Sequence, residues 1–139
     1  MTGLNLAGKN ILVTGAGRGL GRAIAVALAE HGSKVFALSR TPSILESLVK
    51  EQPSIERIVA DVSCWEETRC KLEDLRTMAG IYTTDPATMV TKEKIYKVLD
   101  TNFLGVINCS QVVASKMIQD EKPGSIVNVS SITRLLYLA

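Results

Sequence analysis

Aromatic residues, histidine and net charge are scarce in this sequence, and each shortage argues against a class of function. Only 4% of the 139 residues are aromatic and the formal net charge is +2, so neither base stacking nor a basic surface supports a nucleic-acid partner. The single histidine, His31, is predicted near a helix end, where it interacts with the helix dipole more often than it performs chemistry. No metal site is expected.

Long apolar runs and paired cysteines are also missing. No window reaches the roughly 18 uninterrupted apolar residues typical of a membrane span, and residues 1–9 show no signal peptide. Cys64, Cys70 and Cys109 are odd in number and lack Cys-x-x-Cys spacing. This usage favours reduced thiols and a cytoplasmic location, and no contact with a membrane is expected.

Strand-like and helical patterns alternate through the first half of the chain. The predicted strands are 11–13, 34–39 and 57–60, and the predicted helices are 22–31, 42–52 and 64–75. Gly32, Thr41 and the capping box Ser63-Cys64-Trp65-Glu66 supply helix-end signals. The alternation predicts a single α/β domain with a parallel sheet and right-handed crossovers.

The alternation breaks after Leu75, where a fourth strand is due. Between residues 76 and 90 the only apolar run is Met78–Tyr82, which is short even for an edge strand. The fourth strand is therefore expected to be missing.

A long helix and one more strand are predicted after this break. Helical spacing runs from an N-cap at Thr91 to about Gln119, and 125–129 has the composition of a buried strand. We expect residues 126–129 to pair directly with residues 11–13, with the long helix as the crossover.

A glycine-rich turn lies between the first strand and the first helix. Its sequence is Thr14-Gly15-x-x-x-Gly19-x-Gly21. Glycine lets the backbone turn sharply and approach a pyrophosphate, and the following helix offers unpaired N–H groups to phosphates. This context favours a dinucleotide site, and a strand-to-helix turn without a ligand is the alternative.

Several motifs together resemble the short-chain dehydrogenase/reductase family: the glycine turn, Asp61-Val62, Asn102 on the long helix, and the run Ile-Val-Asn-Val-Ser-Ser that ends at Ser131. Within that family, Ser39-Arg40-Thr41 and Trp65-Glu66 resemble dicarbonyl and L-xylulose reductases. The resemblance implies an incomplete Rossmann-type, doubly wound parallel sheet, with 1–139 as the dinucleotide-binding part. It also implies reduction of a small carbonyl or sugar substrate.

The resemblance assigns a cofactor site as well. The assigned residues are Gly15, Arg18, Gly19, Leu20, Gly21, Ser39, Arg40, Asp61 and Val62. An NAD site places an acid at the end of the second strand, whereas Ser39-Arg40 stand there in this chain. A guanidinium binds a 2′-phosphate, so NADP(H) is the expected cofactor. A solvated loop arginine and a plain turn aspartate are the alternatives for Arg40 and Asp61.

For catalysis, the resemblance assigns Asn102 to holding a proton-relay water and Ser131 to hydrogen-bonding the substrate carbonyl. A satisfied structural asparagine is the alternative for Asn102. The family's Tyr-x-x-x-Lys pair does not occur in these 139 residues, and no lysine follows Tyr137. Because carbonyl reduction needs a proton donor, a catalytically defective chain is expected.

Three interpretations stay open at this point. The chain is a reductase shortened by splicing or by a gene-model error, or a product without function. Alternatively, it is a non-catalytic binding or regulatory module that forms a homo- or hetero-oligomer with reductase subunits through the long helix.

Overall fold

The computed structural model describes residues 6–72 and 91–129. Its elements, in chain order, are β1 Asn10–Thr14, α1 Gly19–Glu30, β2 Lys34–Ser39, α2 Pro42–Glu51, β3 Glu56–Val59, α3 Trp65–Leu72, α4 Lys92–Leu99, a π-helical segment Asp100–Leu104, and α5 Gly105–Gln119. The predicted α/β class is confirmed by the regular alternation of strand and helix as far as α3.

The three strands form one parallel sheet in the order β1-β2-β3. Leu12 lies opposite Phe36, and Leu38 lies opposite Ile58. The central strand β2 is buried over most of its length, because helices cover both faces of a parallel sheet. Successive side chains of β2 therefore enter two separate core clusters, Val35 and Ala37 on one face and Phe36 and Leu38 on the other.

Helix α1 begins earlier than the apolar spacing predicts. The Arg22 N–H already donates to the Arg18 carbonyl at 3.3 Å, so the helix includes the last two motif glycines. Apolar spacing marks only the part of a helix that meets the core, which explains the difference of three residues. At the other end, Gly32 has φ +79° and its N–H donates to Ala29, which confirms the predicted glycine cap.

The start of α2 is confirmed and the predicted capping box of α3 is wrong. Thr41 is the N-cap of α2 and is followed by a proline in the first turn. The Ser63 hydroxyl instead donates to Asp61 at 2.7 Å, and α3 begins at Trp65. The Asp61 carboxylate accepts from both the N–H and the hydroxyl of Ser63. Ser63 therefore belongs to the turn that precedes the helix and does not cap it.

The core face predicted for α3 is confirmed in part. Thr68 and Leu72 are buried, whereas the Trp65 side chain is 37% exposed. The Arg69 guanidinium lies 4.9 Å from the centre of the Trp65 ring, so the indole packs under a cation at the surface. The fourth predicted core residue, Leu75, lies outside the described residues.

The predicted long helix is confirmed from Lys92 to Gln119, in three segments that follow one another directly. The Thr91 side chain accepts from the Lys94 N–H at 3.4 Å, as an N-cap does. The π-helical turn at its centre is not visible in the sequence, because one extra residue in a turn barely alters apolar spacing. Within the described ranges, no helix has the length and apolar character to cross a membrane.

The predicted last strand is wrong. Residues 122–129 form neither helix nor strand, and Ile126, Val127 and Val129 are exposed. Within 6–72 and 91–129, β1 pairs with β2 alone. The composition of a segment gives it a preference for the strand conformation, but a strand forms only where a neighbouring strand can pair with it through backbone hydrogen bonds. The segment 78–82 lies outside the described residues.

Candidate functional site

Three positions of the glycine turn favour glycine, two because of their backbone conformation and one because of close packing. Gly15 and Gly19 have φ of +64° and +53°, a region that other residues rarely adopt. A Cβ on Gly21 would lie 2.4 Å from the Gly15 carbonyl oxygen. The turn is anchored to β2, because the Ala16 N–H donates to the Leu38 carbonyl at 3.2 Å.

The N-terminus of α1 faces this turn without a side-chain cap. Its N-cap residue, Arg18, has extended backbone and makes no capping bond, and the first turn holds no acidic residue. The first N–H groups of a helix have no partner within the helix and carry a partial positive charge, which suits an anion. Leu20, in the same turn, leaves its apolar side chain 64% exposed. The turn thus fits a pyrophosphate beside an apolar surface.

Ser39 and Arg40 lie at the carboxyl end of β2, next to the glycine turn. The Ser39 carbonyl accepts from the Ala60 N–H at 3.2 Å, which holds the strand end in place. A Cβ on Gly17 would lie 2.9 Å from the Ser39 hydroxyl oxygen, so the turn and the strand end are in direct contact. Arg40, the next residue in the chain, is exposed.

Asp61 lies at the end of β3 in a hydrogen-bonded turn. Its Oδ1 accepts from the Ser63 N–H at 3.0 Å and from the Ser63 hydroxyl at 2.7 Å. Burial raises the pKa of Asp61, but these bonds and the charges of Arg40 and Lys97 outweigh it, so the pKa lies below its ordinary value of 3.8. The carboxylate is ionised at neutral pH, and Val62 beside it is buried.

Of the two predicted catalytic residues, only Asn102 lies among the described residues. Asn102 lies in the π-helical segment and is exposed, next to the exposed Phe103 and Leu104. Ser131 lies outside the described residues, as does Tyr137. The predicted reaction centre therefore stays a prediction.

Sequence reasoning missed three residues on the long helix. Lys97 reaches Asp61 electrostatically. A Cβ on Gly105 would lie 2.9 Å from the Val62 carbonyl oxygen, so the helix rests on the turn that holds Asp61. Asn108 is fully buried, and its Nδ2 donates to the Trp65 carbonyl at 2.9 Å. Only Asn108 had a sequence signal, because it is a polar residue four positions before Val112, on the apolar face of the helix.

Metal ligands do not cluster in the described part of the chain. Within 6–72 and 91–129, no group of three or more His, Cys, Asp or Glu side chains could hold a metal ion.

Comparison with known proteins identifies the family of this chain. The family model for short chain dehydrogenases matches residues 9–138. The chain is 45% identical over 134 residues to D-erythrulose reductase of Gallus gallus, covering 92% of this chain and 54% of that protein. It is 42% identical over 134 residues to L-xylulose reductase of Homo sapiens, covering 92% of this chain and 55% of that protein.

Solved structures agree with the sequence matches. A short-chain type dehydrogenase/reductase from Mycobacterium marinum has a TM-score of 0.86 at 26% identity, covering 93% of this chain and 58% of that one. A gluconate 5-dehydrogenase from Burkholderia cenocepacia, in complex with NADP and tartrate, has a TM-score of 0.81 at 26% identity, covering 91% and 55%. The chain spans about half the length of the curated relatives it matches. With its fold, its glycine turn and these matches, the chain belongs to the short-chain dehydrogenase family.

Proposed function

We propose that the chain forms the NADP(H)-binding part of an oxidoreductase of the carbonyl and L-xylulose reductase type, with a small carbonyl or sugar as substrate. The observation that carries the proposal is Ser39-Arg40 at the end of β2, in contact with the glycine turn. An NAD site places a carboxylate at that point, which a 2′-phosphate would repel. The gluconate 5-dehydrogenase from Burkholderia cenocepacia, whose structure is a complex with NADP, supports the choice of cofactor.

Each part of the site takes one part of the nucleotide. The glycine turn and the N–H groups of α1 would hold the pyrophosphate. The exposed side chain of Leu20 would contact the less polar parts of the nucleotide beside it. Arg18 and Arg40 would bind the 2′-phosphate. Among the described residues, hydrogen bonds reach only Oδ1 of Asp61, which leaves Oδ2 for the adenine amine. When bound, NADPH supplies the hydride of a carbonyl reduction.

The Asp61 carboxylate and the 2′-phosphate would compete for Arg40 in this arrangement. It lies close enough to Asp61 to lower the pKa of that carboxyl. Since Arg40 is exposed and makes no short ion pair with Asp61 in the structure, a phosphate can recruit it without breaking a salt bridge. Both anions can accept two parallel N–H bonds from a guanidinium, but a phosphate monoester carries more negative charge than a carboxylate, so the phosphate should bind Arg40 more strongly.

The test compares NADPH with NADH on Arg40 variants. We expect NADPH to raise the melting temperature of the chain well above the shift given by NADH. Arg40→Met should weaken NADPH binding by about tenfold or more, the effect of one charge-assisted hydrogen bond, and leave NADH binding unchanged. Arg57→Met is the matched control, since Arg57 is an exposed arginine paired with Glu46 of α2. Equal shifts with both nucleotides in the unsubstituted chain would contradict the proposal.

The catalytic part of the proposal concerns the polypeptide of these 139 residues. None of its three tyrosines is followed four positions later by a lysine, so the proton donor expected of the family has no counterpart in it. Asn102 and Ser131 are the residues we assign to the reaction centre. Without a poised acid, we propose that this polypeptide holds the cofactor but turns over a carbonyl substrate near the background rate.

An association through the long helix is a second proposal, favoured by one apolar stripe. Ile95, Leu99, Phe103 and Ile107 are spaced four residues apart on α4, the π-helical segment and α5, and all four are exposed. A row of large apolar side chains at helical spacing is typical of a helix that packs on a partner. The occupant we propose is a reductase subunit, either a second copy or a longer relative.

Charge in the stripe should abolish this association. Phe103→Asp should reduce the mass measured by light scattering to that of one chain, because a carboxylate would be buried without a partner. Ile118→Asp is the control: Ile118 is 77% exposed and lies on α5 outside the stripe. A single-chain mass for the unsubstituted protein, with no capture of a full-length L-xylulose reductase, would refute it.

A cytoplasmic location is part of the same proposal. Cys64 and Cys70 are exposed thiols, and Cys109 is a buried thiol. Such cysteines persist in a reducing compartment, where the NADPH pool also supplies reductases.

A further inference from the structure

Helix α2 and the glycine turn meet at a junction that the proposed nucleotide roles do not use. A Cβ on Gly17 would lie 2.9 Å from the Ser39 hydroxyl oxygen and 3.0 Å from Cγ2 of Ile44. A larger residue at position 17 would therefore force the side chains of Ser39 and Ile44 to shift, and glycine lets the turn lie directly against α2. The loop that carries Arg40 is therefore bounded by the turn on one side and by the start of α2 on the other.

Arg22, on α1, ties this junction together with one guanidinium. Its Nη2 pairs with the Glu51 carboxylate, and its Nε donates to the same oxygen at 3.1 Å. Nη2 also donates to the Ser47 hydroxyl at 3.3 Å, so two residues of α2 are held. A planar fork of donors is suited to such a multiple grip, which a lysine cannot copy.

The same guanidinium reaches the backbone on both sides of the loop. Its Nη1 donates to the Gly17 carbonyl at 3.5 Å and to the Ile44 carbonyl at 3.4 Å. These two bonds are long, and the Glu51 pair carries most of the strength. The side chains of Arg22 and Glu51 are 23% and 52% exposed, so solvent screens part of the attraction within this pair.

We propose that Arg22 is a positioning residue for the selection of the 2′-phosphate, an inference that rests on the proposed NADP(H) site. Arg22 fixes α2 against the glycine turn, and α2 fixes the loop of Ser39, Arg40 and Thr41. Arg40 is thereby held at the distance from the turn at which it can share one nucleotide with α1. Arg22 acts through Arg40 and does not touch the nucleotide.

Dissociation constants for NADPH and NADH, measured by fluorescence titration, test this role. Arg22→Met should lower the preference for NADPH over NADH by about tenfold, since Arg40 loses its fixed position. Glu51→Gln should lower it in the same direction by a smaller factor, because the neutral amide keeps a hydrogen bond and loses the charge. Arg57→Met removes another arginine that binds α2, through Glu46 at 2.9 Å, and should leave the preference unchanged.

A double substitution separates positioning from a general loss of stability. In an Arg40→Met background, Arg22→Met should have no further effect on the preference, because the residue it positions is gone. Additive effects would overturn the inference, as would an unchanged preference in Arg22→Met. If Arg22→Met does not fold, Glu51→Gln decides on the same criterion.

The proposed cofactor site and the role of Arg22 fail in different ways. An unsubstituted chain that binds neither nucleotide, or both equally, overturns the NADP(H) proposal and removes the ground for this one. An unsubstituted chain that prefers NADPH, with the same preference in Arg22→Met and Glu51→Gln, overturns the role of Arg22 alone.

Discussion

Gly21 lies so close to Gly15 that a Cβ on Gly21 would be 2.4 Å from the Gly15 carbonyl oxygen. The turn therefore closes on itself at the first turn of α1, with backbone against backbone. This contact sets the curvature that aims the N–H groups of α1 toward a ligand in the turn.

Gly21→Ala should open the turn and abolish nucleotide binding. No flexible side chain can yield at this contact, so the backbone of the turn or of α1 must shift. We expect a loss of about 2 kcal/mol or more in the free energy of unfolding and no NADPH-induced rise in melting temperature. Gly8→Ala is the control: Gly8 has φ +70° with nothing within 4 Å of a Cβ, so only backbone strain is added. Normal NADPH binding by Gly21→Ala would contradict this account.

Gly105→Ala should destabilise the chain although alanine is the better helix former. A Cβ there would lie 2.9 Å from the Val62 carbonyl oxygen and 3.2 Å from that of Asp100. In an open helix the same change stabilises by about 1 kcal/mol, so the sign of the effect reports the contact. Chemical unfolding should show lower stability for Gly105→Ala and equal or higher stability for Ser115→Ala, an exposed site on α5. A stabilising Gly105→Ala would show that the helix does not rest on Val62.

Asp61 should make stability depend on acid pH. Its pKa is lowered in the folded chain below the ordinary 3.8, so the ionised form favours the fold. This contribution is complete above the unfolded pKa and is lost as the pH falls through the folded pKa. Ser63→Ala removes the hydroxyl bond and should raise the pKa of Asp61, which moves the loss of stability to higher pH. Denaturant unfolding between neutral and acid pH measures it, and Ser54→Ala, an exposed turn residue, should behave like the unsubstituted chain.

Turnover by the purified 139-residue polypeptide should be near background. With NADPH and xylulose, diacetyl or D-erythrulose, the rate followed at 340 nm should fall below that of D-erythrulose reductase from Gallus gallus by about 10²–10⁴-fold, the usual contribution of general acid catalysis. That full-length relative is the positive control in the same assay. Turnover within about tenfold of it would refute the catalytic defect.

The ends of several helices and strands follow closely from local patterns in the sequence. The bounds of β2 and the positions of Thr41, Gly32 and Thr91 at helix ends are as predicted. Each depends on interactions within a few residues, such as a proline in the first helical turn or a glycine in a left-handed conformation. Local signals of this kind are written in the sequence itself.

The errors arose where a local preference competed with a partner elsewhere in the chain. Ser63 has the spacing of a capping residue but binds the Asp61 carboxylate instead. Residues 126–129 have strand composition but find no ladder among the described residues. The π-helical turn lies where Gly105 brings the helix against the Val62 carbonyl. The spacing of residues along the sequence does not predict these contacts.

By itself, the sequence determined the family, the α/β alternation and the glycine turn, because strand, turn and helix preferences agree over residues 10–31. It also placed Arg40 directly after β2, the position on which the proposed 2′-phosphate site depends. Only the tertiary structure decided that Arg22 grips α2 and the turn together, and that Lys97 and Arg40 act on Asp61. These relationships join residues far apart in the chain, and packing of the sheet against its helices is what makes them neighbours.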